Sequence, residues 1–225
     1  MTDEISPEAF LDSDGVEDWR VTSDGACALF RAGSFAASAR FVQALAELGG
    51  HHDPDVDVRG GDVTVRLVTT TDAYFGMTRR DADLARRISA TAREHGLTPD
   101  PAAVQSVLLV VGSPTPREVM PFWQAALGYG RRPDSPDEDL VDPAGRGPAI
   151  WFEAMDEPHA DRGGAIHVAV WVPAEEAEAR VRATLDAGGR MVRDAFAPAW
   201  WTLADAAGNE ADVATIMGRD GPPPS

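Results

Sequence analysis

The second half of the chain repeats one order of predicted elements, and this duplication restricts the folds open to it. An apolar strand at 104–111 precedes a helix at 116–127 and strand-like segments around 138–141 and 149–152. The order returns as a strand at 166–172, a helix at 174–185 and strand-like segments at 191–192, 200–203 and 212–216. The two helix ends, at 127 and 185, lie 58 residues apart. Two β-α-β-β-β units predict a pseudo-symmetric pair that encloses a cleft.

The first half has an α+β pattern. Valines alternate with polar residues on both sides of Gly60-Gly61, which predicts a hairpin with one buried face. Thr78, three residues before Asp81, indicates a capped helix start. The predicted elements are a short helix after Ser6, a strand at 26–30, a helix from Ser34 to Gly49, the hairpin, a loop with Tyr74 and Phe75, and a helix that ends at Gly96. Together they predict a small antiparallel sheet with helices on one face.

Proline and glycine positions predict the domain boundaries. Pro99 and Pro101 disfavour helix continuation, so we expect a first domain at 1–97, a linker at 98–103 and a second domain at 104–219. The proline-rich residues 220–225 are expected to be a disordered tail.

Charge excludes two classes of partner. The 225 residues carry 37 Asp and Glu against 20 Lys and Arg, a net charge of −17, which repels nucleic acid and anionic membranes. Cys27 is the single cysteine, which excludes an intrachain disulfide. The acidic residues 1–10 do not match a signal peptide, and no apolar run is long enough for a membrane span. These features predict a cytoplasmic protein.

Two adjacent histidines, His51 and His52, lie between a helix end and a strand start. Imidazoles titrate near neutral pH, so this pair could act as general acid and general base. The alternative interpretation is a polar connector beside acidic residues.

Residues 19–88 resemble the pterin-4a-carbinolamine dehydratase family. The matching residues are Trp19, Phe30, Phe35, Phe41, Ala46-Glu47, His51-His52, Pro54-Asp55, the alternating residues 63–70, Gly76, Thr78, Asp81 and Leu84-Ala85. The resemblance implies dehydration of a 4a-hydroxytetrahydropterin without a cofactor, with histidines that transfer the protons. It also implies a homo-oligomer and a small-molecule substrate, a pterin or another aromatic metabolite.

The chain departs from the family pattern around these histidines. Asp53 separates the pair from Pro54, so the family pair corresponds to His51 and His52 or to His52 and Asp53; all three are catalytic candidates. Thr71, before Asp72, stands where the family has its third histidine, and a threonine carries no proton charge near pH 7.

Five residues are substrate-binding candidates: Thr71, Asp72, Tyr74, Phe75 and Asp81. The two aromatic side chains could stack on a flat pterin ring, or they could pack as a lid or at the edge of the core. Asp81 matches an acidic family position, and as a first-turn residue it could equally be a helix cap.

Residues 104–217 resemble the glyoxalase-like, or vicinal oxygen chelate, superfamily. The match lies in the duplicated order, Pro121-Phe122-Trp123 before Ala126-Leu127-Gly128, Ile166-His167-Val168, and residues 205–210 before the last strand. The resemblance implies a possible divalent metal, with Glu153, His167 and Glu210 as candidate ligands and Gln105 in an uncertain register. The alternatives are a core histidine and a plain turn. Five tryptophans in this half could line an apolar cleft or pack in the core.

The sequence therefore predicts a 4a-hydroxytetrahydropterin dehydratase, a lyase, fused to a glyoxalase-like small-molecule domain. Two alternatives stay open. One is a degenerate protein that binds or sequesters a small molecule, and the other is a metal-dependent enzyme centred on the second domain.

Overall fold

The structure is a computed structural model that describes residues 3–49, 53–145, 147–154, 166–204 and 210–218. The chain divides into two compact units, unit 1 (1–104) and unit 2 (105–225). Among the described residues, no helix is long and apolar enough to cross a bilayer.

Unit 1 combines short strands with three helices in its described part. Its elements are β1 (Glu4–Ile5), α1 (Pro7–Leu11), β2 (Arg20–Thr22), β3 (Gly25–Arg31), α2 (Phe35–Leu48), β4 (Asp55–Arg59), β5 (Asp62–Leu67), β6 (Thr69–Thr71), β7 (Tyr74–Thr78), α3 (Arg79–Glu94), β8 (Thr98–Pro99) and a 3-10 turn (Pro101–Ala103). The predicted helices and the predicted hairpin are all present.

An antiparallel sheet of five strands forms the centre of unit 1. Its order is β2-β3-β5-β4, and β8 pairs with the end of β3. Alternate residues of β5 are buried, as the period of two predicts, and α2 and α3 contact the sheet. Phe30 of β3 meets Phe41 of α2 edge to face at 5.5 Å between ring centroids. The Trp19 indole N–H donates to Ser89 Oγ of α3 at 3.0 Å. These contacts fix both helices on the core.

The expected loop with Tyr74 and Phe75 is instead a hairpin. Strands β6 and β7 pair as Thr69↔Gly76 and Thr71↔Tyr74, and β1 adds a third strand beside β7. β-branched and aromatic residues favour strands, and here that preference prevails in runs too short to show periodicity.

The segment 98–103 is ordered against unit 1. Thr98 pairs with Arg31 of β3, and the Asp100 carboxylate accepts a hydrogen bond from Arg31 Nη2 at 2.8 Å. The extended geometry that prolines impose on preceding residues suits this short edge strand.

Unit 2 contains the duplicated unit that the sequence predicts. Its elements are β9 (Ser106–Ser113), α4 (Pro116–Leu127), β10 (Gly130–Arg131), β11 (Asp139–Val141), β12 (Ala149–Ala154), β13 (Ile166–Trp171), α5 (Ala174–Asp186), β14 (Arg190–Arg193), β15 (Trp200–Ala204) and β16 (Glu210–Ala214). One sheet has the order β10-β11-β12-β9-β13-β16-β15-β14. In each repeat the first and last strands are parallel, and β9 and β13 join the repeats antiparallel.

The two faces of this sheet carry different clusters. On one face, α4 covers a cluster that includes Met120 and Phe152, and α5 covers a cluster that includes Val181 and Val213. The other face carries a third cluster, in which the described residues include no side chain of α4 or α5. We call it the open face of unit 2. Its apolar members are Leu108, Val110, Trp151, Ala169, Trp171, Trp200, Ala214 and Ile216.

Candidate functional site

The candidate histidines of unit 1 follow the end of α2. The helix ends at Leu48, and Gly49 takes a positive φ of 59°, which turns the chain away from the helix axis. The Arg87 guanidinium of α3 donates to the Leu48 carbonyl and so anchors the end of α2. His51 and His52 lie outside the described residues.

The chain re-enters the sheet at Asp53, which is exposed. Asp55, the first residue of β4, pairs with Arg66 near the end of β5, and Arg66 Nε donates to the Asp55 carboxylate at 3.0 Å. Continuation of this antiparallel register brings the start of β4 to the end of the sheet where β5 passes into Thr69. The segment before β4 and the start of β6 therefore lie at the same end of the sheet.

Asp81 lies at the first turn of α3 and has no exposed surface. Its Oδ2 accepts hydrogen bonds from Thr69 Oγ1 at 2.9 Å, Thr78 N–H at 2.7 Å and Thr78 Oγ1 at 2.7 Å. Thr78 Oγ1 in turn accepts from the Asp81 N–H at 3.3 Å, which completes a capping box. Asp81 thus ties β6 to α3.

The other binding candidates lie on the β6–β7 hairpin. Thr71 and Asp72 are exposed, and the Ala73 N–H donates to Thr71 Oγ1 at 3.3 Å. Tyr74 is half-buried and donates its hydroxyl to the Met77 carbonyl at 2.6 Å, and burial raises the pKa of its phenol. Phe75 is half-buried as well. Thr71 and Asp72 are thus accessible to a ligand, whereas the Tyr74 hydroxyl is engaged within the hairpin.

His167 is the titratable centre of the open face of unit 2. Its Nε2 lies 3.2 Å from Asp212 Oδ2, and the two side chains are 26% and 14% exposed. The hydrogen bond with Asp212 raises the pKa of His167, burial opposes it, and the nearby charges of Asp212, Glu153 and Glu210 raise it further. A protonated imidazole among three carboxylates is therefore favoured here.

The expected metal ligands do not form a metal-binding cluster. Glu153, His167 and Glu210 face the same side of the sheet, but no group of three or more His, Cys, Asp or Glu side chains in the described residues could hold a metal ion. The His167 ring nitrogen that would bind a metal is engaged with Asp212. The described side chains therefore do not fit the divalent ion that the superfamily resemblance implies.

Asp212 is a site residue that the sequence interpretation missed. A spacing of 59 residues relates the end of α4 at Leu127 to the end of α5 at Asp186. The same spacing relates Glu153 to Asp212, and Leu108 to His167. Combined with the strand period of two, this offset could have identified Asp212 as the counterpart of Glu153. It also shows an apolar leucine where the first repeat would need its own histidine.

A cavity of about 650 Å³ opens at the end of β12, beside the first turn of α4. Trp151 and Glu153 line it together with Arg117, Glu118 and Glu138. The Arg117 guanidinium pairs with Asp137 at 2.8 Å on the rim. Its volume is in the range of small-molecule pockets.

Comparisons with known proteins agree with both units. Residues 2–91 match the family model "Pterin 4 alpha carbinolamine dehydratase", and residues 108–214 match the model "Glyoxalase-like domain". A protein of Nocardia farcinica named "Putative pterin-4-alpha-carbinolamine dehydratase" is 38% identical over 96 residues, which cover 41% of this chain and 95% of that protein. A protein of the same name from Chloroflexus aurantiacus is 39% identical over 74 residues, 32% of this chain and 76% of that one.

A solved structure from Vibrio splendidus also aligns with the chain. It is a member of the glyoxalase/bleomycin resistance protein/dioxygenase superfamily, with 13% identity and a TM-score of 0.32 over 50% of this chain and 99% of that one. The glyoxalase-like assignment of unit 2 is argued from the family match and from its own strand order.

Proposed function

This chain belongs to the pterin 4 alpha carbinolamine dehydratase family through residues 2–91, and we propose that unit 1 is a lyase that removes water from a 4a-hydroxytetrahydropterin. Unit 2 is a glyoxalase-like domain fused to it. The family match supports the proposal because it extends over nearly the whole length of the Nocardia farcinica protein.

The observation that carries the proposal is the convergence of three segments at one end of the central sheet of unit 1. The segment 50–54 leads into β4 there, β5 passes into Thr69 there, and Thr69 is hydrogen-bonded to Asp81 at the start of α3. Arg87 of α3 also anchors the helix end from which the histidine segment starts. Proton-transfer groups and a hairpin with accessible polar side chains are thus close in the fold.

The reaction breaks the bond between ring carbon C4a and its hydroxyl oxygen. A protonated group gives its proton to the leaving hydroxyl, which departs as water. A base takes a proton from a ring nitrogen, and the electron pair of that N–H bond forms the new double bond of the quinonoid dihydropterin. We assign one of these two roles to His52, which matches the family pair in either alignment, and the other to His51, with Asp53 as the alternative.

Thr71 lowers the expected rate of this reaction. A threonine hydroxyl can donate or accept a hydrogen bond, but it cannot act as a charged acid near neutral pH. The two proton transfers then depend on residues 51–53, which still offer an acid and a base. The proposal therefore expects slow turnover rather than none.

The test is formation of quinonoid dihydropterin by the full chain, followed spectroscopically for wild type, His52→Ala and His95→Ala. General acid–base catalysis contributes about 10²–10⁴-fold, so His52→Ala should lose at least about tenfold in kcat. His95 ends α3 and is exposed, so His95→Ala should turn over like wild type. Equal turnover of His52→Ala and wild type would remove His52 from the mechanism.

A second candidate function is binding without turnover. The replacement of the third family histidine by Thr71 favours it, and so do the three tryptophans on the open face of unit 2. Tight binding of a pterin by the full chain, with no acceleration of dehydration, would support this candidate over the lyase.

A further inference from the structure

The open face of unit 2 offers flat apolar surface around a shallow floor. Trp171 is buried, and Trp151 and Trp200 are half-buried beside small buried residues such as Ala169 and Ala214. Phe196 extends this surface, because its ring stacks on that of Trp200 with centroids 4.3 Å apart. Indole faces over a floor of alanines favour a planar aromatic ligand.

The polar groups of this face lie among these rings. On β13, His167 falls between the rows of Trp151 and Trp171, since it pairs with Val110, which in turn pairs with Trp151. Its Nε2 donates to Asp212 Oδ2 at 3.2 Å. The other oxygen of that carboxylate, Oδ1, is buried and has no hydrogen-bond partner among the residues that the structure describes. A buried carboxylate oxygen is stabilised when an N–H or O–H donor reaches it.

Acceptors outnumber donors at this position. Glu153 and Glu210 act on the charge of His167 together with Asp212, so three carboxylates share one imidazole. Glu153 also lines the cavity of about 650 Å³ at the end of β12. A ligand that complements this face therefore supplies N–H donors, and a charge-assisted hydrogen bond to a carboxylate is among the stronger kinds.

We propose that the open face of unit 2 binds, without a metal ion, a planar nitrogen heterocycle whose edge presents N–H donors to the Asp212 carboxylate. The indole of Trp151 stacks on the ring, and Asp212 Oδ1 accepts the N–H of its edge. A metal ion is not needed for this mode, because the donor that occupies the carboxylate comes from the ligand itself.

Pterins are members of this class of heterocycle, because their pyrimidine ring carries a ring N–H beside an exocyclic amino group. The choice of a pterin as the probe rests on the function proposed for unit 1, whereas the binding mode rests on unit 2 alone. The two can therefore fail separately.

The experiment measures quenching of tryptophan fluorescence of the full chain in the presence of EDTA. The two probes are 6,7-dimethylpterin and 6,7-dimethyllumazine, which differ in that the lumazine has an oxygen in place of the amino group. Both present the same ring for stacking, but only the pterin has two adjacent donors. A site built around hydrogen bonds rejects an analogue that cannot make them. We expect the pterin to bind at least about tenfold more tightly than the lumazine.

Four variants assign the binding to this face. In Asp212→Asn the amide oxygen keeps the bond from His167, and its NH2 group then meets the donor edge of the ligand, so the pterin should bind at least about tenfold more weakly. Trp151→Leu removes the stacking surface and should weaken both probes equally. His52→Ala in unit 1 should retain the binding. Glu178→Gln, on the exposed side of α5, is the matched control and should bind like wild type.

Three results would overturn the proposal. The first is equal affinity for the two probes, and the second is wild-type affinity in both Asp212→Asn and Trp151→Leu. The third is binding that appears only when a divalent cation replaces EDTA. Binding that is lost in His52→Ala but kept in the two unit 2 variants belongs to unit 1, and it would contradict this inference while supporting the proposed lyase.

Discussion

Thr78 and Asp81 satisfy each other's hydrogen bonds at the first turn of α3. The Asp81 carboxylate accepts from both the N–H and the hydroxyl of Thr78 at 2.7 Å, and the Thr78 hydroxyl accepts from the Asp81 N–H at 3.3 Å. Thr69 of β6 donates to the same carboxylate oxygen at 2.9 Å. The acidic family position is therefore also the joint between the hairpin and the last helix of unit 1.

Replacement of Asp81 tests this structural role. Asp81→Ala leaves buried donors of Thr78 and Thr69 without their acceptor, and each such group costs about 1–3 kcal/mol. We expect the free energy of unfolding from urea titration to fall by at least about 2 kcal/mol, since two residues lose their acceptor. Asp83→Ala, an exposed position on the same helix, is the control. An Asp81→Ala protein with unchanged stability and lost turnover would show that Asp81 acts in catalysis and not as a cap.

Gly76 is constrained by the ring of Tyr74. A Cβ at position 76 would lie 2.6 Å from the Tyr74 hydroxyl oxygen, and that hydroxyl donates to the Met77 carbonyl at 2.6 Å. Gly76→Ala therefore displaces the ring and should cost about 1–3 kcal/mol of unfolding free energy. At Gly130 the nearest atom to an added Cβ is 3.9 Å away, so Gly130→Ala is the matched control. Equal stability of both variants would mean that Tyr74 does not occupy this position.

Long periodic segments were predictable from sequence, and short strands were not. The apolar spacing of α2, the alternation of β4 and β5, and the capping pair Thr78 and Asp81 each repeat a local rule over many residues. Strands β1, β6 and β8 have only two or three residues, and they exist because a partner strand lies beside them. Such pairing is a tertiary effect that no short window of sequence contains.

The candidate sites show the same division between local and long-range information. The local pattern around residues 205–210 led to Glu210, whereas the contact that forms is between His167 and Asp212, 45 residues apart. It depends on the parallel register of β13 and β16, in which Ala169 lies opposite Asp212. Only the internal repeat of 59 residues carries a sequence signal for this register.

The thiol of Cys27 should be inert in the native protein. It lies on β3 in the core of unit 1, and burial raises its pKa to about 12. Because the thiolate is the reactive form, a thiol reagent such as DTNB should label the chain only after unfolding in urea. Stoichiometric labelling of the native protein within seconds at pH 8 would contradict the burial of Cys27.

Asp24 should make unit 1 less stable as the pH rises. Burial raises its pKa above the ordinary value of 3.8, although Arg66 and Ser23 oppose the shift. A carboxyl whose pKa is raised by folding stabilises the native state while it is protonated, and this contribution is lost as the pH rises through the folded pKa. Asp24→Asn should therefore gain stability relative to wild type between about pH 4 and pH 7.

Urea titrations at several pH values, compared between wild type and Asp24→Asn, measure this difference. The exposed Asp57→Asn serves as control for the removal of one negative charge. A constant difference between Asp24→Asn and wild type across the range would contradict the buried environment of Asp24.

The lyase proposal is tested most directly by the rate of dehydration itself. A 4a-hydroxytetrahydropterin is generated in a stopped-flow instrument, and its decay is recorded with no protein, with wild type and with a His51→Ala/His52→Ala double variant. The account predicts a decay that accelerates in proportion to the wild-type concentration and returns to the spontaneous rate with the double variant. A decay with wild type equal to the spontaneous rate would contradict it.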